Sequence, residues 1–277
     1  MNRFPMNRST THRFRCWMLT AILCAALFQS GAMGESVPVR YVEGTIQGFL
    51  VLRTQEGHAI AVGDLVQVIH GERVISRLLF RFKDGSVDDE TAVFSQRGTF
   101  QLITDHHVQK GPSFPQSMDM SIDVRQGRVT VRSTGKDGKE EVMTDHLDMP
   151  SDLANGMILS LMKNIQPETA ETRVSMIVAT PKPRLVKLAI SPQGEDAFSL
   201  AGSPRKATNF VIKVELGGVA GLVAPLIGKK PADIHIWIIG GPAPAFVKEE
   251  GPFYPEGPIW NIQLTSPVWP RGSGSGF

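Results

Sequence analysis

The chain has 277 residues, with 29 Lys+Arg against 27 Asp+Glu and a formal net charge of +2. Four of the arginines (Arg3, Arg8, Arg13 and Arg15) stand at the very start, so the remainder carries 25 basic against 27 acidic side chains, about −2. A near-neutral body excludes recognition of nucleic acid or of an anionic membrane surface by bulk charge.

The N-terminal segment runs from basic to apolar to small. The four arginines precede Cys16-Trp17-Met18-Leu19-Thr20-Ala21-Ile22-Leu23-Cys24-Ala25-Ala26-Leu27-Phe28, and Ala32 and Gly34 follow. That order is the layout of a secretory signal peptide, and the apolar run is short of the roughly 20 residues that span a bilayer. Residues 1–34 are therefore expected to be removed and the protein exported, as a periplasmic or otherwise envelope-associated protein. Cys24 invites a lipoprotein reading, but Leu23 before it is bulky where such sites take a small residue, so a soluble mature protein is preferred. Both cysteines lie in this segment, and an exported domain without disulfides must be held by its core. About 240 residues are enough to supply one.

From Tyr41 to about His146 the apolar pattern has period two. Val74, Leu78, Phe80 and Phe82 share one parity against Arg73, Arg77, Arg81 and Lys83. Met118, Met120, Ile122 and Val124 alternate with polar residues, as do Val129 and Val131. Such alternation marks strands with one buried face. The breaks at Glu56-Gly57, Asp84-Gly85, Gln126-Gly127 and Asp137-Gly138 are hairpin chemistry, so an antiparallel meander is predicted.

At Pro150-Ser151-Asp152 the period changes. Leu153, Met157, Leu161 and Ile165 recur at helical spacing, Ser151 or Asp152 is placed to cap, and Pro167 lies beyond the end, which predicts a helix over about 152–165. Lys163 is taken as a surface residue of that helix. Val174–Thr180, Arg184–Ser191 and Phe210–Leu216 read as strands. Gly217–Gly228 reads as a short helix over about 219–227, and Ile234–Ile239 as a strand buried on both faces. Gly240–Pro258, rich in Pro and Gly, reads as a long ordered loop carrying Phe246, Phe253 and Tyr254. Ile259–Thr265 would be the last strand and 270–277 a flexible tail. Residues 35–269 form one expected domain.

Chemistry-bearing motifs are sparse. Asp105-His106-His107 and Asp145-His146 are where His and Asp cluster, but His106 and His107 are adjacent in a predicted strand and point to opposite faces. At most one of them can share a site with His146. The plain reading is hydrogen-bonded or surface histidines, and neither a metal nor a cofactor is expected. Asp88-Asp89-Glu90 could pair with Arg73, Arg77 or Arg81 across a hairpin or bind a cation weakly, and a solvated strand entrance is the preferred reading. No nucleophile elbow, P-loop, His-Glu-x-x-His or Gly-x-Gly-x-x-Gly occurs, and no catalytic residue is assigned.

Several runs carry a resemblance: Leu79-Phe80-Arg81-Phe82-Lys83-Asp84-Gly85-Ser86 with Asp88-Asp89-Glu90-Thr91, Phe94-Ser95-Gln96, Asp105-His106-His107-Val108-Gln109-Lys110-Gly111-Pro112-Ser113-Phe114-Pro115, Asp152-Leu153-Ala154-Asn155-Gly156-Met157, and Gly217 to Pro231 leading to Trp237. Together they resemble a group of uncharacterised exported bacterial proteins, over most of the mature chain. The strand–helix–strand layout is similar to half-open β-barrels of the lipoprotein-localisation carrier type, which hold lipid chains in an apolar hollow. That second likeness is one of architecture, and fold does not imply function.

These readings predict a mainly β protein of roughly ten strands. Its curved antiparallel sheet forms an incomplete barrel, with the helices near 152–165 and 219–227 on the concave side. The function expected is that of a non-enzymatic envelope protein binding an apolar or lipid-like ligand, with Met157, Leu161, Leu222, Leu226 and Phe246 as candidate walls of the site. The first alternative is a structural or interaction protein whose barrel is filled by its own side chains, with an envelope protein as partner. The second is a hydrolase or metal-dependent enzyme built on His106 or His107, His146 and a carboxylate.

Overall fold

A computed structural model describes residues 36–134, 138–179, 182–200, 203–215 and 231–264 along with Met1. Within them fourteen strands form one antiparallel sheet: β1 (Ile46–Thr54), β2 (Ala59–His70), β3 (Arg73–Phe82), β4 (Val87–Ser95), β5 (Gln101–Lys110), β6 (Met118–Asp123), β7 (Arg128–Thr134), β8 (Glu140–His146), β9 (Thr172–Val178), β10 (Arg184–Leu200), β11 (Ser203–Glu215), β12 (Ile234–Ile239), β13 (Ala245–Pro252) and β14 (Ile259–Leu264). One short helix, α1 (Ile158–Met162), lies between β8 and β9. Both the predicted signal segment and the short helix expected near 219–227 lie outside the described residues, as does the predicted tail.

The spatial order is β8-β7-β6-β5-β4-β3-β2-β1-β14-β13-β12-β11-β10-β9. The chain steps outward hairpin by hairpin from β1 to β8, crosses to the opposite edge at β9, and steps back to β14, which pairs with β1. The sheet is not closed; β8 and β9 are its edges. Its concave face holds the core, in which Leu50, Leu52, Phe80, Phe94, Phe100, Ile122, Val129, Ile190 and Phe210 pack with residues of the crossing segment. The predicted alternation in β3, β6 and β7 is what buries Val74, Phe80, Phe82, Met120, Ile122, Val129 and Val131. Gly63 faces Phe80 across the β2–β3 ladder, and a Cβ there would stand 2.4 Å from the ring. The missing side chain lets the ring lie flat on the strand.

The sheet has fourteen strands where roughly ten were expected, and one stretch read as a loop is a strand. Residues 245–252, inside the predicted Pro- and Gly-rich loop, form β13 and pair on both sides, with β12 and β14. Their prolines are confined to the strand end and to the turn before it, where no ladder bond is lost. β10 runs on past Ser191 to Leu200 and pairs with β11 from Ser203 onward. Pro192-Gln193-Gly194, just past the predicted strand end at Ser191, is a register shift within this ladder, and a bulge is where a sheet tolerates proline.

The predicted helix over 152–165 is reduced to α1. Residues 152–155 are held as an extended segment on the edge of β9 instead. Ala154 N–H donates to Ser175 O at 2.8 Å, Ser175 N–H donates to Asp152 O at 3.0 Å, and Leu153 bridges Ser175 in parallel. Asn155 copies a backbone unit, donating to Ile177 O and accepting from Ile177 N–H, both at 2.8 Å. Asp152, read as a cap, instead accepts from Ser175 Oγ at 2.9 Å and from Lys187 Nζ at 2.9 Å. Gly156 then turns the chain with φ +63, a left-handed conformation that stops a right-handed helix. Pairing with a sheet edge outweighs local helix preference here, because an uncovered edge leaves backbone groups unpaired.

An N-terminal arm straps the other end of the crossing segment. Arg40 N–H and Tyr41 N–H both donate to Asn164 Oδ1, at 2.8 and 2.7 Å. Lys163 is not the free surface residue expected: its Nζ lies 2.6 Å from Glu43 Oε2, whose side chain is 4% exposed.

Candidate functional site

β4 and β5 bring a polar group to the concave face. Register sets Glu90 opposite His107, Asp88 opposite Gln109 and Ala92 opposite Asp105. In β4, Asp88 and Glu90 share parity with the buried Ala92 and Phe94, so they point inward while Asp89 points out to Arg77, with bonds of 2.8 and 2.6 Å. In β5, Asp105, His107 and Gln109 face in, while His106 faces out and lies 3.0 Å from Asp119 Oδ1. From the other half of the sheet, Glu249 of β13 faces the same space between Ile236 and Ile262.

The inward groups are tied together. His107 Nε2 lies 3.1 Å from Asp88 Oδ1, and His107 Nδ1 lies 4.0 Å from Glu90 Oε1. Gln109 Nε2 donates to Asp88 Oδ2 at 2.7 Å and to Phe253 O at 2.9 Å, which fixes the loop after β13 to β5. Burial works against the imidazolium, but Glu90, the Asp88 hydrogen bond and Asp105 outweigh it and push His107 up to about 9. The ring is therefore charged at neutral pH, with Nε2 donating to Asp88 and Nδ1 facing Glu90 at the longer distance. Glu90 is raised by burial and by Asp88, against the pull of His107 and a hydrogen bond from Gly156 N–H. Asp105 is raised well above the ordinary carboxylate range by burial and by Glu90. At 2% exposure it has neither carboxyl oxygen hydrogen-bonded. Glu249, raised by burial and then by Glu90 and Asp88, reaches about 7.

Asp88, Glu90, His107, Gln109 and Glu249 line a cavity of about 240 Å³, with Asp105 behind them. The walls are apolar: Leu65, Leu78, Phe80, Met176, Val178, Val186, Leu188, Ile212, Val214, Ile234, Ile236 and Ile262 come from both halves of the sheet. Gly156, Met157, Ile158, Leu159 and Ser160 of the crossing segment complete it. Gln67 Nε2 donates to Ser160 Oγ at 3.3 Å and pins α1 to β2. Gly156 is the point of contact between crossing segment and acids. A Cβ there would stand 2.5 Å from Ala92 Cβ and 2.6 Å from Asp105 Oδ1.

Of the residues singled out in the sequence, Met157 lines the cavity. Leu161 and Phe246 are buried in the core and are not among its lining residues. Leu222 and Leu226 lie outside the described residues. The histidine constellation of the enzyme alternative does not form. His146 pairs with Arg128 at the exposed edge strand β8, on the face opposite the buried Val129 partner Asp145, whereas His107 faces in. Among the described residues no group of three His, Cys, Asp or Glu side chains is disposed to hold a metal ion. The inward placement of Asp88, Glu90 and Asp105 was missed, and Glu249 was not singled out. For β4 the signal was present, since period two carried through 87–95 puts both acids on the Ala92–Phe94 face.

No family model matches the chain, and no curated protein matches it. Two solved structures are similar in fold. One is a β-barrel-like protein of a domain of unknown function, DUF1849, from Brucella abortus, at 12% identity and a TM-score of 0.42, covering 84% of this chain and 97% of that one. The other is the hypothetical lipoprotein YmcC from Escherichia coli, at 9% identity and a TM-score of 0.34, covering 94% of this chain and 99% of that one.

Proposed function

We propose that this chain is an exported envelope protein without enzymatic activity that takes a small apolar or amphipathic molecule into the hollow of its sheet. The basic–apolar–small order of residues 3–34 supports the exported address. The observation that carries the binding reading is the cavity of about 240 Å³ between sheet and crossing segment, walled by aliphatic side chains. A dry engineered cavity of about 150 Å³ holds benzene, so by the same ratio this one holds roughly nine or ten heavy atoms. Each methylene moved there from water contributes about 0.8 kcal/mol, so a chain of six to eight methylenes gains about 5–6 kcal/mol before the costs of association.

The test pairs native mass spectrometry of the protein from its own envelope with a titration of 1-octanol. A bound small molecule and saturable octanol binding are expected. Met176 is half-buried and lines the cavity, so Met176→Trp should fill it, abolish octanol binding and leave the stability near that of the parent. A barrel filled by its own side chains gives the reverse: no saturable binding, and an overpacking loss of about 1–3 kcal/mol in the variant.

A further inference from the structure

The acids at the cavity's end are out of balance with their surroundings. Asp88, Glu90, Asp105 and Glu249 face one imidazole, and no Lys or Arg is among the described residues that line the cavity. Of the basic residues on the strands that wall it, Lys187, Lys213 and Lys248 sit on the other parity, and Arg184, which shares the parity of Val186 and Leu188, is not among the lining residues. Lys187 lies between the lining residues Val186 and Leu188 and reaches Asp152; Lys213 lies between Ile212 and Val214; Lys248 stacks over Trp237. His107 is engaged by Asp88 and stands beside Glu90. Glu249 lines the cavity with no hydrogen bond to any described residue.

Asp105 supplies the second observation. Both of its oxygens are buried and unbonded, and Oδ1 is directed at Gly156, which lines the cavity. A buried polar group without a partner calls for one. Glu249 in the cavity and Asp105 behind Gly156 thus present acceptors without matching donors, at the end of an aliphatic wall.

We propose that the ligand is a small amphiphile with a primary ammonium head: the alkyl chain lies along the Ile212–Ile234–Ile236 wall and the ammonium sits among Glu249, Glu90 and Asp88. This rests on the hollow being a ligand site, as proposed above. An ammonium group has three donors and no acceptor, the complement of what the cavity offers. A carboxylate or phosphate head would meet like charge with no Lys or Arg among the described lining residues to pair it, and taking a charge out of water unpaired is costly. The raised carboxyl of Glu249 fits the same picture, since a group held near 7 for want of a counter-charge ionises when a cation arrives.

Isothermal titration of the full chain with octylamine hydrochloride, 1-octanol and sodium octanoate at pH 7.5 tests this. Octylammonium is expected to bind at least tenfold more tightly than octanol, and octanoate not measurably. Glu249→Gln should bring octylammonium to within about threefold of octanol, both measured on the variant. Octanol or octanoate binding as tightly as octylammonium to the parent protein overturns the ammonium assignment and leaves the hollow as a ligand site. Failure of all three ligands overturns both. The three-ligand comparison on the unaltered protein decides the matter without the variant, should Glu249→Gln fold poorly.

Discussion

Glu249→Gln exposes the energetics of the cavity without any ligand. In the folded protein this carboxyl is moved from 4.5 to about 7 by burial and by Glu90 and Asp88. The folded state therefore holds a proton that the unfolded chain releases, and stability must fall as pH rises through that interval. The contribution is greatest below pH 4.5, declines between 4.5 and 7, and is fully lost above. At 1.36 kcal/mol per unit the loss is at most about 3 kcal/mol, and water reaching the open side of the cavity reduces it to about 1–3 kcal/mol. His107, raised from 6.5 to about 9, acts in the same direction over a later window. Its share is full below 6.5 and lost as pH approaches 9. The parent protein should thus weaken in two steps from pH 5 to pH 9. Glutamine keeps the shape and cannot ionise, so it removes the first step alone. Urea unfolding at pH 5, 6, 7 and 8 should find the variant within about 0.5 kcal/mol of the parent at pH 5 and more stable by about 1–3 kcal/mol at pH 8. A gap that does not change with pH, or a variant weaker than the parent at pH 8, would refute the placement of a strained carboxyl in this cavity.

Two further substitutions probe how the crossing segment is held. Lys163→Ala strands the buried Glu43 carboxylate and should cost about 3 kcal/mol. Adding Glu43→Gln should recover most of that in a double-mutant cycle by urea melts, and a loss under 0.5 kcal/mol for the single variant would return Lys163 to the solvated surface. Gly156→Ala adds a methyl group 2.5 Å from Ala92 Cβ at φ +63, so strain and overpacking together should cost about 3 kcal/mol. Gly57→Ala, at φ +88 with nothing within 4 Å, should cost only the backbone part, about 1 kcal/mol. Equal melting temperatures for the two glycine variants would show that the crossing segment does not press on the acids.

The meander from β1 to β8 was legible because strands such as β3, β6 and β7 have a wet face and a dry one. Alternation in Val74–Phe82 and Met118–Val131 reports that difference directly, and it also placed His106 and His107 on opposite faces. What stayed hidden involves residues whose partners are remote in sequence. Asp88-Asp89-Glu90 reads as a solvated run because charge is disfavoured inside a protein. Glu90 is balanced inside by His107 on the next strand and a backbone N–H from Gly156, and no local pattern shows that pairing. The register shift between Val93 and Phe94 further separates the parity of β4 from that of β5. β13 and the outer part of β10 carry the Pro and Gly of loops and become strands because neighbours on both sides supply ladder bonds. Residues 152–155 have the spacing of a helix, yet Asn155 and Asp152 find better partners in Ile177, Ser175 and Lys187.

The strand order explains why the crossing segment and the candidate site coincide. Two meanders that meet at the β1–β14 seam and run outward end in two free edges, β8 and β9. The connection between those edges runs over the face that holds the core, where Leu153, Met157 and Leu161 are buried. Such a connection cannot pair within the sheet along its length, so it must bring its own satisfaction for backbone groups. It does so at β9, where residues 152–155 cover the edge, and through the arm that bonds Asn164. Between these anchors its backbone crosses above β4 and β5 at Gly156, close enough to donate to Glu90. The inward acids are tolerable there because a backbone donor and an imidazolium stand over them. The aliphatic residues further along, from Met157 to Leu159, roof the rest of the hollow. A single topological necessity, the passage from one edge to the other, thus gives the cavity its lid, its polar end and its apolar walls.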